Sequence, residues 1–152
     1  MLDECLQIGV DEWTGSNILA HSDIPAFIVT LTKRSNGKEL PPGWVPETTF
    51  WIVELDKVVG EIQIRHSLNA RYEQYGGNVG YFVHPVYRCR GIATFALREG
   101  LKILRQEGVP EPLVTCRDDN VGSIRVIERC GGIRIEDSTA DGPRRRRYRF
   151  CL

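Results

Sequence analysis

Along residues 91 to 106, Ala93, Ala96, Leu97, Gly100, Leu101 and Leu104 recur at three- and four-residue steps. Arg98, Glu99, Lys102, Arg105 and Gln106 fill much of the remainder. One apolar face and one charged face predict a helix from Gly91 to Gln106, with Gly108 suited to end it. Elsewhere the pattern shortens. "TTFWIVEL" and "VVGEIQIR" are β-branched and aromatic runs split by Asp56-Lys57, the signature of a hairpin. "NVGYFVH" reads as a strand stopped by Pro85, and "PLVTCR" as another. "DDNVGSIRVIERCGG" reads as a short helix opened by Asp/Asn and closed by Gly131. "IRIED" and "RRRYRFCL", joined by "STADGP", predict a closing hairpin.

The first half is less regular. Residues 1 to 35 read as loosely helical around a polar break, with no persuasive strand before Thr48. Residues 36 to 47 form a Pro- and Gly-rich connection, and residues 67 to 77 a polar excursion with a helical turn. Strands alternate with helices only in the second half. That order predicts an α/β (α+β) chain with a mixed sheet, not a doubly wound one.

Composition adds limits. At 152 residues the chain fits a single domain, 1-152, with a real hydrophobic core. Lys+Arg and Asp+Glu are both 20, so no overall field favours nucleic acid or a membrane surface. The run "RRRR" at 144 to 147 is a local exception. On a strand Arg144 and Arg146 point one way and Arg145 and Arg147 the other, so all four cannot serve one ligand. They form either a charged edge or, as one pair, the mouth of an acceptor site. Five scattered cysteines make no metal-binding pattern with His66 or His84, and the economical reading is reduced thiols in a cytoplasmic protein. The first residues do not read as a signal peptide, and no apolar run is long enough to span a bilayer.

The chemistry concentrates in "VYRCRGIATFALREGLKIL", residues 86 to 104. A helix's first turn has unpaired N–H groups and partial positive charge, which suits phosphate. Gly91 lets an anion approach the backbone, Ala93 keeps the next position small, and Arg88 and Arg90 can add charge. Cys89 between them is a reactive thiol on one reading and a tolerated loop residue on the other. A tight strand-to-helix turn with no ligand is the plain alternative.

Arg88-Cys89-Arg90-Gly91-Ile92-Ala93 after a strand, then Asn120, Ser123 and Gly131 in "CRDDNVGSIRVIERCGG", resemble the two signatures of the GNAT (GCN5-related N-acetyltransferase) superfamily. "GWVPETTFWIVE", "IQIRHSLN" and "YGGNVGYFVHP" look like a poorly characterised group of predicted acetyltransferases within it. The resemblance covers about residues 36 to 150. It implies a central, mostly antiparallel sheet with one splayed parallel pair, 79–83 and 113–117, flanked by helices. It implies acetyl-CoA as cosubstrate, with the pyrophosphate on the N–H groups of Arg88, Cys89, Arg90, Gly91, Ile92, Ala93 and Thr94. The pantetheine arm would pair with backbone at Tyr81, Phe82 and Val83. Asn120 and Ser123 would meet the arm or the helix start, and an N–H near Phe82 or Val83 would polarise the thioester carbonyl. Transfer to an amine would be direct, with no cysteine nucleophile and no metal.

Two departures stand out. The tyrosine that the family often places seven residues after the asparagine is Ile127 here, and "NVGYFV" has no strand carboxylate. The remaining ionisable candidates for the catalytic base are Glu61 and His66, plus His84, and the first two also read plainly: Glu61 on a solvated strand face, His66 as a strand-end histidine held by backbone. The superfamily's opening strand is either absent or hidden in "FIVTL". Its absence would leave a sheet edge for a partner subunit to cover, as in a homodimer. The resulting expectation is an N-acetyltransferase acting on a primary amine of a small molecule or protein. The alternatives are a catalytically weak CoA-binding sensor or interaction module, and a nucleic-acid-binding domain built on "RRRRYRF".

Overall fold

The computed structural model describes residues 23–138 and 144–152. Helix α1 (Ile24–Ser35) is capped by Asp23, whose carboxylate accepts the Ala26 N–H at 3.0 Å. "FIVTL" lies inside this helix. The helices expected over residues 1 to 22, and any strand there, lie outside the described residues. Strands β1 (Glu47–Glu54) and β2 (Lys57–Arg65) form the expected hairpin. Its two-residue loop is Leu55-Asp56, both at positive φ, and not Asp56-Lys57. Lys57 is polar enough to read as turn, yet it already pairs with Glu54. Leu55 and Asp56 adopt the left-handed conformation that tight hairpin loops demand.

Helix α2 (Ala70–Tyr75) begins at Asn69, whose side chain accepts the Tyr72 N–H at 3.1 Å. Strand β3 (Val79–Val83) leads through a 3₁₀ turn (Pro85–Tyr87) into α3 (Ile92–Gln106). Strand β4 (Leu113–Arg117), helix α4 (Val121–Arg129), β5 (Ile133–Arg134) and β6 (Arg145–Arg149) complete the chain. The sheet order is β1-β2-β3-β4-β6-β5, antiparallel throughout except for β3 against β4.

Period-two alternation sends each strand's residues to opposite faces. Ile62, Ile64, Val79, Val114, Cys116 and Tyr148 share one face and pack with Ala96, Leu97, Leu101 and Leu104 of α3 and Ile124 and Ile127 of α4. The amphipathic spacing of α3 is thereby explained: every position that the pattern marked is buried except Ala93, which is half-buried. Gly100 allows close contact, since a methyl group there would meet Ile62 Cδ1 at 2.8 Å. On the other face, Phe27 of α1 stacks on Trp51 at 6.1 Å between ring centroids, and Arg65 lies over the Tyr72 ring of α2. Among the described residues no helix is long and apolar enough to cross a membrane.

Candidate active site

Strands β3 and β4 touch at one paired position, Val79 with Val114, and then diverge. Asn78, buried, holds the point of divergence. Its Oδ1 accepts the Leu113 N–H at 2.8 Å, its Nδ2 donates to the Arg65 carbonyl at 3.0 Å, and its own N–H donates to the Leu113 carbonyl at 2.6 Å. Gly77 before it has φ of 66°, and a side chain there would strike the Leu113 carbonyl. Neither residue stood out in the sequence. Asn78 reads there only as the start of a strand, and its two cross-strand partners are 13 and 35 residues away.

Beyond Val79 a cleft of about 640 Å³ opens, lined in part by Gly80, Tyr81, Thr115, Cys116, Asn120 and Ser123. The backbone of β3 has a fixed alternation. His84 donates its N–H to Val59, and Asn78 accepts from Arg65, so Phe82 and Gly80 between them also turn their polar groups to β2. Tyr81 and Val83 therefore turn theirs towards β4, where the cleft lies. This favours Val83 over Phe82 as the N–H aimed at a bound carbonyl. The side chain of Phe82 has a different place: it lies under the Arg88 guanidinium, 5.7 Å from ring centroid to Cζ.

At the far end of β3, Arg88 Nε donates to the Val83 carbonyl at 2.9 Å and Arg90 pairs with Glu54 at 3.0 Å. Both guanidinia are thus engaged in holding the loop, and the anion-binding capacity rests mainly on backbone. Cys89 and Gly91 are at φ of 60° and 82°, and Cys89 is exposed. Gly91 caps α3 with no side-chain hydrogen bond and with open space where a Cβ would stand. The first bond inside the helix is Phe95 N–H to the Gly91 carbonyl, leaving the N–H groups of Gly91, Ile92, Ala93 and Thr94 without helical acceptors. Fifteen helical residues carry a dipole whose positive end is here.

Across the cleft, Asn120 caps α4 by accepting the Ser123 N–H at 3.0 Å, which leaves its amide N–H groups for another acceptor. Tyr81 donates weakly to the Ser123 carbonyl at 3.5 Å, and burial pushes its phenol pKa up beyond the usual range. Ile127 is fully buried in the core beneath Gly132 and is not among the residues that line the cleft.

The two base candidates part company. His66 lies at the opposite end of the fold from Gly91. Its Nε2 is 2.9 Å from Thr48 Oγ1 and its Nδ1 is 2.8 Å from a Glu107 carboxylate oxygen, at the C-terminal end of α3. A 15-residue helix is about 22 Å long, so this histidine is remote from the loop at Gly91; neither it nor Glu61 is among the residues that line the cleft. Side chains hold it, as well as its N–H bond to the Pro46 carbonyl. Glu61 is not on a solvated face. It is 8% exposed, with Trp51 and Phe82 as its directly opposite ladder neighbours, because the α1 side of the sheet is covered where alternation alone leaves it open. Its Oε1 has no hydrogen-bond partner, and burial first, with the nearby Glu47 charge second, pushes its pKa up to about 7.

The sequence reading overlooked Glu47. It is buried, lines the cleft and pairs with Arg65 at 3.2 Å, two alternating positions from Trp51 on the Glu61 face. Burial raises its pKa more than the Arg65 charge lowers it. Nothing in "VPETT" marks it as buried; the ion pair forms only when β1 and β2 align Glu47 with Arg65. Among the described residues no group of three or more His, Cys, Asp or Glu side chains is placed to hold a metal ion.

The comparisons agree with this geometry. The profile of the Acetyltransferase (GNAT) family matches residues 23–132. Among curated proteins nothing matches. Among solved structures, a putative ribosomal-protein-serine acetyltransferase from Vibrio cholerae superposes with TM-score 0.67 at 15% identity, over 99% of this chain and 86% of that one. RimJ of Mycobacterium smegmatis, in complex with CoA-disulfide, gives 0.65 at 19%, over 86% of this chain and 62% of its own. The microcin C7 self-immunity acetyltransferase MccE, in complex with acetyl-CoA and AMP, gives 0.60 at 16%, over 87% and 71%. The chain belongs to the GNAT acetyltransferase family.

Proposed function

We propose that this GNAT-family chain is an acetyl-CoA-dependent N-acetyltransferase that passes the acetyl group directly to a primary amine. The observation that carries the reading is the divergence of β3 from β4 beyond Val79, beside a helix N-terminus at Gly91 that no side chain caps. The cosubstrate supplies an acetyl thioester, whose C–S bond breaks as the new C–N bond forms.

The chain's residues divide the work. The N–H groups of Gly91 to Thr94 hold the pyrophosphate with the help of the α3 dipole. The polar backbone of Tyr81 and Val83 pairs with the arm as an added strand would, and Asn120 holds it from the other wall. The Val83 N–H stabilises the negative charge developing on the carbonyl oxygen. Glu61 takes the proton that the attacking amine loses, through a water. A pKa of about 7 leaves it half ionised at neutral pH, close to the best compromise for a general base. His66 positions the end of α3 against β1 and takes no proton from the amine.

The test is thiol release. Acetyl-CoA and a panel of primary amines should give free thiol and acetylated amine in equal amounts. Tight cosubstrate binding with no amine-dependent thiol release across the panel would instead favour a CoA-binding sensor.

A further inference from the structure

The charge lining the cleft is unbalanced. Of the charged residues that line it, Arg65, Arg71, Arg117 and Arg145 are cations and Glu47 is the one acid. Two of these cations are already engaged. Arg65 pairs with Glu47, and Arg117 with Asp119 at 2.8 Å. The side chains of Arg71 and Arg145 have no hydrogen-bond or ion-pair partner among the described residues, and Arg145 Nε is buried with none.

On the face of β6 that carries Arg145, the other arginines have acidic partners. Register places Arg145, Arg147 and Arg149 on one face, opposite Arg117, Thr115 and Leu113. Glu73 of α2 takes Arg147 at 3.6 Å and Arg149 at 3.4 Å. Arg144 leaves the strand to pair with Asp137 at 2.8 Å. A partly desolvated guanidinium without a counter-ion is costly unless a ligand supplies one.

We infer, resting on the acetyltransferase reading above, that the acceptor is a small primary amine bearing an anionic group, carboxylate or phosphate, received by Arg145 and Arg71. The size follows from the volume. A cleft of about 640 Å³ shared with the thioester arm leaves room for a small molecule.

Matched amine pairs test this: 5-aminovalerate against 5-aminovaleramide, and phosphoethanolamine against ethanolamine, with a peptide of acidic N-terminus as a further arm. One charge-assisted contact made only by the anionic member should raise its kcat/KM about tenfold or more over its neutral twin. The paired carboxylate and phosphate arms distinguish the two sources of charge. Arg145→Gln and Arg71→Gln should erase the preference while leaving the KM for acetyl-CoA unchanged, and Arg145→Lys should keep much of it. Melting curves confirm that each variant is folded. Equal turnover of charged and neutral twins, a preference that survives both Gln variants, or acetylation of the acidic peptide alone overturns this inference and leaves the enzyme reading intact. A lack of amine-dependent thiol release with every amine, charged or neutral, removes both.

Discussion

The carboxamide oxygen of Asn78 accepts the backbone N–H of Leu113 at 2.8 Å, so a side chain closes the sheet at the point where its two parallel strands part. The same carboxamide donates to the Arg65 carbonyl, joining β2, β3 and β4 through one residue. Asn78→Ala leaves a buried N–H and a buried carbonyl without partners. Each such group costs about 1–3 kcal/mol, so denaturant melts should show a loss of about 2–6 kcal/mol. Asn78→Asp keeps the bond to Leu113 but loses the donor, and should fall between. A change below about 0.5 kcal/mol in Asn78→Ala would show that the divergence is held by other contacts.

Glu61 couples stability to pH. Its pKa is raised from 4.5 to about 7, so the native state binds the proton more tightly than the unfolded chain. Stability therefore falls as pH rises from about 4.5 to about 7 and is level above that, a total of about 3 kcal/mol from this group. Glu61→Gln removes the penalty. The variant should melt higher than the parent at pH 8 and nearly the same at pH 5. Its kcat/KM should drop about a hundredfold and lose the rise through neutral pH. A variant less stable at pH 8, or one with the parent's pH–rate profile, would remove Glu61 from the mechanism.

His66 bridges Thr48 and Glu107, and its expected effect is structural. His66→Ala should cost about 1 kcal/mol in a denaturant melt and leave kcat within about threefold of the parent. A hundredfold loss of kcat in a folded variant would restore it as a candidate base.

Ile127→Tyr will not supply an acid. Ile127 is fully buried, and the ring would press on the space under Gly132, where even a methyl group would come within 2.6 Å of Ile127 Cγ2. Overpacking should cost about 1–3 kcal/mol, read in a melt, with no new alkaline limb in the rate profile. A variant of unchanged stability whose rate falls above pH 9 would contradict this placement.

The sequence pattern revealed the elements more fully than the site. Period and punctuation marked α3, the strands and the caps at Asn120 and Gly131, because these signals are local. The helix starts at Gly91 and Asn120 were legible for the same reason, since each cap is local to its own helix terminus. The Leu55-Asp56 loop was missed by one residue, since polarity marks a turn less sharply than backbone geometry does. Glu47, Asn78 and Arg145 were opaque. Their significance comes from partners on other strands, or from the lack of them, and register decides that. Glu61 looked solvated because alternation identifies a face and says nothing about what covers it.

The most direct test of the account is binding of acetyl-CoA at Gly91. Asn and Asp are nearly isosteric, and both tolerate the φ of 82° found there better than other side chains. Open space around the position lets either fit without a clash. They differ in charge, and only a bound anion distinguishes them strongly. Calorimetric titration should show Gly91→Asp binding acetyl-CoA at least about tenfold more weakly than Gly91→Asn, with the gap narrowing as salt is raised. Equal affinities in two folded variants would place the pyrophosphate elsewhere and contradict the proposed site.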